Sequence, residues 1–337
     1  MESFIHQQSA VRVLFGPGVL SNVPEEVRRL GAQRALVITS STRTTDADET
    51  VRLLGAMAVG VFANTVTHVP FGVAQEAAEA SKTTGADCCV VIGGGSTIGV
   101  GKAIAHETGL PIIAIPTTYS GSEMTPVYGI TRDGVKTTGR DPNVQPKTVI
   151  YDPLLTLKVP PKIAGPSGLN ALAHCVAALI DREASPVVRM FADAGMNALK
   201  QALPIVVAQP DNLEARSNAL YGSWLAGCAL SGSRMNIHYR ICHALGAGYN
   251  LPHAEVHGVM LPYTTAFNLD VSRGQEIYDL AVRVGAPTSL KAIGLPEEGV
   301  ESVAKTATQT PSYNSKPVDQ ASVVKLIREA YVGERPR

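Results

Sequence analysis

The chain carries no net charge: 29 Lys and Arg balance 29 Asp and Glu over 337 residues. Proteins that bind nucleic acid or an anionic membrane surface normally show a basic excess, so neither partner is expected. Charged residues are scarce, 17% against 45% apolar, which excludes global disorder. No apolar run reaches the about 18 residues needed to span a bilayer. The opening Met1-Glu-Ser-Phe-Ile-His6 lacks the charged stretch and apolar run of a signal peptide, so a cytoplasmic location is expected. Cysteines are few, and Cys88, Cys89, Cys175, Cys228 and Cys242 form no CxxC pair. Their apolar settings suit reduced, buried thiols. Histidine is scarce too, yet His238, His243, His253 and His257 share one twenty-residue stretch out of eight histidines in all. Histidine serves proton transfer and metal ligation near neutral pH, so this cluster asks for a chemical explanation.

At roughly 100–200 residues per domain the length suggests two domains. In the first half, buried-strand patterns at Arg34–Thr39, Val59–Phe62, Cys88–Ile92 and Pro111–Ile115 alternate with helical spacing over 46–55, 73–84 and 99–108. Such alternation predicts βαβ units and a mostly parallel sheet. The segment 128–152, rich in Gly and Pro, reads as a hairpin and loop. Beyond Val159-Pro-Pro161 the texture changes to Ala/Leu-rich helical stretches at 168–182, 186–203, 213–231, 234–247, 255–268, 276–284 and 319–332. The expected organisation is therefore an α/β domain over 1–158 and an all-α domain over 159–337.

Two loops carry chemistry. Ile92-Gly-Gly-Gly-Ser-Thr-Ile-Gly-Val-Gly-Lys102 follows a predicted strand and opens a predicted helix. Glycines there let the backbone approach a pyrophosphate, whose charge is favoured at a helix start. Lys102 is a candidate cation for the same phosphates. Pro116-Thr-Thr-Tyr-Ser-Gly-Ser-Glu-Met-Thr125 also follows a buried strand, where ligands of open α/β sheets bind. Further on, Asn170 and His174 lie four apart on one helix face, as do Tyr239 and His243, whereas His238 is rotated by about 100°.

These stretches, together with Val13-Leu-Phe-Gly-Pro-Gly18, Lys136-Thr-Thr-Gly-Arg-Asp-Pro142, Val149-Ile-Tyr-Asp152, Ile241-Cys-His-Ala-Leu-Gly246 and Leu251-Pro-His-Ala-Glu255, resemble the maleylacetate reductases. That group is a branch of the iron-containing alcohol dehydrogenases, with a dehydroquinate synthase-like fold. The resemblance implies an N-terminal dinucleotide-binding domain with a parallel sheet, an all-α C-terminal domain, a cleft between them and a homodimer. It also implies NADH- or NADPH-dependent reduction of maleylacetate in the catabolism of aromatic compounds. Gly93, Gly94, Gly95, Ser96 and Thr97 would then hold the pyrophosphate, with Thr117, Thr118 and Ser122 along the cofactor. Ser40, uncharged where relatives often place an acid for the ribose, leaves room for NADP as well as NAD. His174, His243 and His253 would line the substrate side. Tyr239 or His243 would be the general acid, Asn170 and His238 would stabilise oxyanion charge, and Lys136 and Arg140 would grip carboxylates.

Metal-dependent relatives bind iron or zinc with one Asp and three His, and the matching positions here are Asn170, His174, Tyr239 and His253. A neutral amide and a phenol are poor ligands, so no catalytic metal is expected. Ala178, Val256, Tyr263 and a shortened 268–276 segment also depart from the family pattern. These departures motivate an alternative: a dehydratase, isomerase or cyclase using the His/Tyr cluster for acid–base work on the same scaffold.

Overall fold

A computed structural model describes residues 3–337, so Met1 and Glu2 of the N-terminal stretch lie outside the described residues. The chain divides into two compact units, Gln8–Val159 and Pro160–Arg337, the second also taking residues 3–7. The N-terminal residues were expected with the sheet domain. His6 Nδ1 instead lies 3.0 Å from Ser185 Oγ of the helical unit.

The first unit is a six-stranded parallel sheet with flanking helices. Its elements are β1 (Arg12–Phe15), α1 (Val23–Arg29), β2 (Ala35–Ile38), α2 (Thr44–Leu54), β3 (Ala58–Phe62), α3 (Phe71–Thr83), β4 (Cys88–Gly93), α4 (Gly95–Thr108) and β5 (Ile112–Pro116). After them come β6 (Val127–Arg132), β7 (Val135–Arg140), β8 (Thr148–Tyr151) and the short α5 (Pro153–Thr156). Strand order is β1-β8-β5-β4-β2-β3. Strands β2, β4, β5 and β8 are buried throughout, as expected for a parallel sheet covered on both faces. The segment 128–152 contains the expected antiparallel hairpin β6–β7, turned at Asp133-Gly134 with φ of 50° and 73°. It also contains β8, which inserts between β1 and β5, so the loop reading is corrected there.

From β2 the chain runs outward to the edge strand β3, then returns to place β4 on the other side of β2. The carboxyl ends of β2 and β4 thus border the point where the winding reverses, the usual ligand position of such sheets. Helix α4 lies close on its neighbours because Gly99 and Gly101 have no side chain. An added Cβ would stand 2.6 Å from Val69 Cγ2 and 2.5 Å from Val91 Cγ2, respectively.

The second unit consists of α6 (Pro161–Ile180), α7 (Pro186–Ala208), α8 (Leu213–Ser231), α9 (Ile237–Tyr249), α10 (His253–Asn268), α11 (Val271–Arg283), α12 (Gly299–Thr308) and α13 (Gln320–Val332), with no strand among the described residues. Helix α12 falls in a stretch for which no helix was expected. Helix α6 is long and apolar enough to cross a membrane, but 89% of that window is buried inside the unit, which marks it as a core helix.

Asp181, just past α6, ties the connection between α8 and α9 to the end of α6. It accepts hydrogen bonds from Arg234 N at 2.9 Å and Arg234 Nη2 at 2.6 Å, and from Glu183 N at 3.0 Å. Burial raises the carboxyl pKa, but the Arg234 bonds outweigh it, and the net shift is downward. The stabilisation is therefore full above the unfolded value of about 3.9 and is lost as pH falls through the lower folded value. Asp181→Asn is expected to cost about 1–2 kcal/mol in urea unfolding at pH 7, with the difference shrinking below pH about 4.

Candidate active site

Each unit contains one polar constellation. In the sheet unit, β4 ends at Gly93 and α4 begins two residues later, so the turn is made of glycine backbone. A Cβ at Gly93 would lie 2.6 Å from Thr97 Oγ1, one at Gly94 3.2 Å from Thr118 Oγ1, and one at Gly95 2.7 Å from Ser120 Oγ. The α4 N-cap, Gly94, makes no side-chain cap, and the first turn has no acidic residue. The helix start thus keeps its amide donors and positive dipole end for an anion. Thr97 is fixed by Thr65, with Oγ1 atoms 2.9 Å apart, and Ser96 is half-buried beside it.

Thr117 and Thr118 follow β5 directly alongside this turn, tied to it by Thr117 N donating to Gly93 O at 3.0 Å. Thr117 Oγ1 is buried with no partner among the described residues. Ser40 lies two residues past the end of β2, with Oγ 3.1 Å from Thr42 Oγ1. The 117–125 loop is held from behind: Glu123, fully buried, accepts from Tyr151 Oη at 2.8 Å and from Gly121 N at 3.2 Å.

Lys102 differs from its expected place at the phosphates. It is 1% exposed, and Nζ donates to Ser122 O at 2.6 Å, Thr125 O at 2.7 Å and Val127 O at 2.8 Å. Burial draws its pKa down to about 7, with the Glu123 carboxyl opposing. The ammonium therefore clamps the loop beneath the cradle. Lys136 and Arg140 both lie on β7, and Lys136 is half-buried with its pKa drawn down to about 8 by burial.

In the helical unit, α6, α9 and α10 supply the second constellation. Asn170 and His174 are buried one turn apart on α6. Helix α9 starts at an Asn236 cap, whose side chain accepts from His238 N, and ends at Asn250 in the left-handed region, φ 52°. That reversal lets α10 start at His253, so both helices offer their rings to the same region.

His174 Nδ1 and Tyr239 Oη are hydrogen-bonded at 2.7 Å, and their rings stack with centroids 5.9 Å apart. Burial raises the Tyr239 phenol well above its ordinary pKa, so it keeps its proton. The Tyr239 ring centroid is 6.4 Å from that of half-buried His243 and 5.8 Å from that of His257, and His257 is 4.5 Å from His253. The expected group His174, Tyr239, His243 and His253 is thus brought together within this unit.

His238 is corrected. Its Nδ1 meets Thr264 Oγ1 and its Nε2 meets His257 Nδ1, both at 2.9 Å, so it has no ring nitrogen left for an oxyanion. Burial pushes its pKa to about 3, and the ring is neutral. Cys242 Sγ lies 3.7 Å from the same Nε2. Tyr263 is turned away to donate to Glu334 O at 2.8 Å, while Ala178 and Val256 are fully buried apolar positions. Sequence reasoning counted His257 in the histidine cluster without giving it a role, and passed over Thr264. The signal for His257 was its spacing of four from His253 on α10.

At the four positions that match the metal ligands of metal-dependent relatives, the donor chemistry does not suit a divalent metal. Asn170, His174, Tyr239 and His253 include no carboxylate, the phenol is held protonated, and His174 Nδ1 is engaged by Tyr239. The glycine cradle, in contrast, suits a dinucleotide pyrophosphate.

The model of the iron-containing alcohol dehydrogenases matches residues 10–153, and that of the Fe-containing alcohol dehydrogenase C-terminal region matches 165–275. A maleylacetate reductase of Burkholderia cepacia is 45% identical, with both chains covered in full. The crystal structure of a maleylacetate reductase from Agrobacterium tumefaciens superposes with a TM-score of 0.93 at 41% identity, and that from Rhizobium sp. strain MTP-10005 with 0.92 at 43%. Each covers the whole of both chains.

Proposed function

Because the chain belongs to the iron-containing alcohol dehydrogenase family and is an oxidoreductase, we propose that it reduces maleylacetate with NADH or NADPH, without a catalytic metal, as a cytoplasmic homodimer. The bound dinucleotide would supply hydride to the substrate carbon–carbon double bond. Gly93, Gly94, Gly95, Ser96 and Thr97 would hold its pyrophosphate at the start of α4, and Thr117, Thr118 and Ser122 would lie along it. Uncharged Ser40 accommodates a ribose 2′-hydroxyl or a 2′-phosphate. Lys136 and Arg140 would grip the substrate carboxylates by charge-assisted hydrogen bonds.

Addition of hydride leaves negative charge on the neighbouring carbonyl oxygen, and a proton must follow. The 2.7 Å Tyr239–His174 hydrogen bond carries this reading: a phenol that burial keeps protonated and an imidazole orients is available to donate that proton to the basic enolate oxygen. His243 is the second candidate donor, and the Asn170 amide would stabilise the oxyanion.

Purified protein is expected to bind both NADH and NADPH in a fluorescence titration, and activity is expected to survive prolonged EDTA dialysis. Stoichiometric metal whose removal abolishes turnover would contradict the metal-free mechanism. Binding of neither dinucleotide by the folded protein would sink the redox reading and favour acid–base chemistry alone.

A further inference from the structure

One buried nitrogen has no role in the scheme above. Thr264 Oγ1 donates to Met260 O at 3.0 Å, so it is a lone pair of that oxygen that faces His238 Nδ1 at 2.9 Å. With the hydroxyl hydrogen on Met260 O, His238 carries its proton on Nδ1 and leaves Nε2 bare. That bare nitrogen accepts from His257 Nδ1–H at 2.9 Å. His257 is neutral, since burial pushes its pKa well below the ordinary value, so its own Nε2 is bare as well. The Thr264–His238–His257 chain thus ends on an unshared lone pair.

His257 is 1% exposed, and Nε2 is buried with no hydrogen-bond partner among the described residues. A buried acceptor without a donor is destabilising, and a donor from outside the chain relieves it. The ring stands among His253, Tyr239 and His174, at centroid distances of 4.5, 5.8 and 6.4 Å.

We propose that His257 Nε2 is a hydroxyl-accepting subsite, which binds the organic acid through an O–H group and so favours its enol or hydroxyl form over the ketone. The proposal rests on the reading of the substrate as a keto diacid. A ketone oxygen offers only lone pairs and meets this nitrogen unfavourably. The same oxygen, once protonated after hydride addition, becomes a donor that His257 can accept. The interaction is thereby reserved for the later stage of the reaction, where it assists turnover rather than mere binding.

Calorimetric binding of 3-hydroxyadipate and of adipate tests the subsite without turnover. The unaltered protein is expected to bind the hydroxy acid about tenfold more tightly. His257→Asn retains an amide donor toward His238 but no acceptor at the Nε2 position, and the preference is expected to vanish. His257→Gln, whose amide oxygen reaches that position, is expected to retain it. Equal binding of the two acids by the unaltered protein would mean that only water occupies the nitrogen, and would overturn the proposal. So would a preference that persists in His257→Asn. Nitrogen-15 spectra of histidine-labelled protein read the same atom with no ligand present: Nε2 of His257 is expected to be unprotonated, and a proton there overturns the assignment. If neither acid binds, the diacid reading falls, and the subsite stands or falls on that spectrum alone.

Discussion

Tyr239→Phe is expected to lower kcat by about 10²–10⁴-fold while leaving NADH affinity unchanged. The substitution removes one oxygen and leaves a ring of nearly the same shape, packed against Ala177, Leu230 and Met235. Its effect therefore falls on the proton donor and on the His174 Nδ1 partner, which loses its 2.7 Å bond. A thermal unfolding scan separates this from misfolding, because only one hydrogen bond, about 1 kcal/mol, is at stake. Loss confined to KM, with kcat intact, would remove Tyr239 from the proton-transfer step and leave His243 as the acid.

The second large effect is expected in the sheet unit. Gly93→Ala places a Cβ within 2.9 Å of Oγ1, Cβ and Cγ2 of Thr97. Thr97 cannot simply swing aside without losing its Thr65 hydrogen bond at 2.9 Å. The turn must distort where amides would meet the pyrophosphate, and distortions of this kind cost about 1–3 kcal/mol, or about five- to 150-fold in affinity. Gly94→Ala, whose Cβ would meet only Thr118 at 3.2 Å or more, is expected to have a smaller effect. Fluorescence titration with NADH checks the order, and equal affinities in the two variants would contradict the cradle.

How far these sites could be read from the sequence depended on whether a feature is local. The β4 turn was visible because a run of buried apolar residues followed directly by three glycines has few other uses. Strands β1 and β8 were missed as strands because four residues become a strand only through their pairing partners, here each other and β5. Lys102 was misplaced for a related reason. A cation at a helix start suits a phosphate, and nothing local shows that three carbonyls 20 to 25 residues downstream fold onto it. In the helical unit, spacing put Tyr239 and His243 on one face of α9 and separated His238 from them. Which ring nitrogens meet across α9 and α10 is decided by packing. That packing turned His238 from an oxyanion donor into the support of His257. The absence of a carboxylate at position 170 was legible from the start, and the phenol beside His174 gives it chemical meaning.

With an acid–base cluster, a dinucleotide cradle and no catalytic metal, this chain is expected to act as a maleylacetate reductase. The most direct measurement follows nicotinamide absorbance after maleylacetate is added to EDTA-dialysed protein and NADH. Oxidation of one NADH per maleylacetate, lost in Tyr239→Phe, is the predicted result. Tight NADH binding with no oxidation on addition of maleylacetate would contradict it.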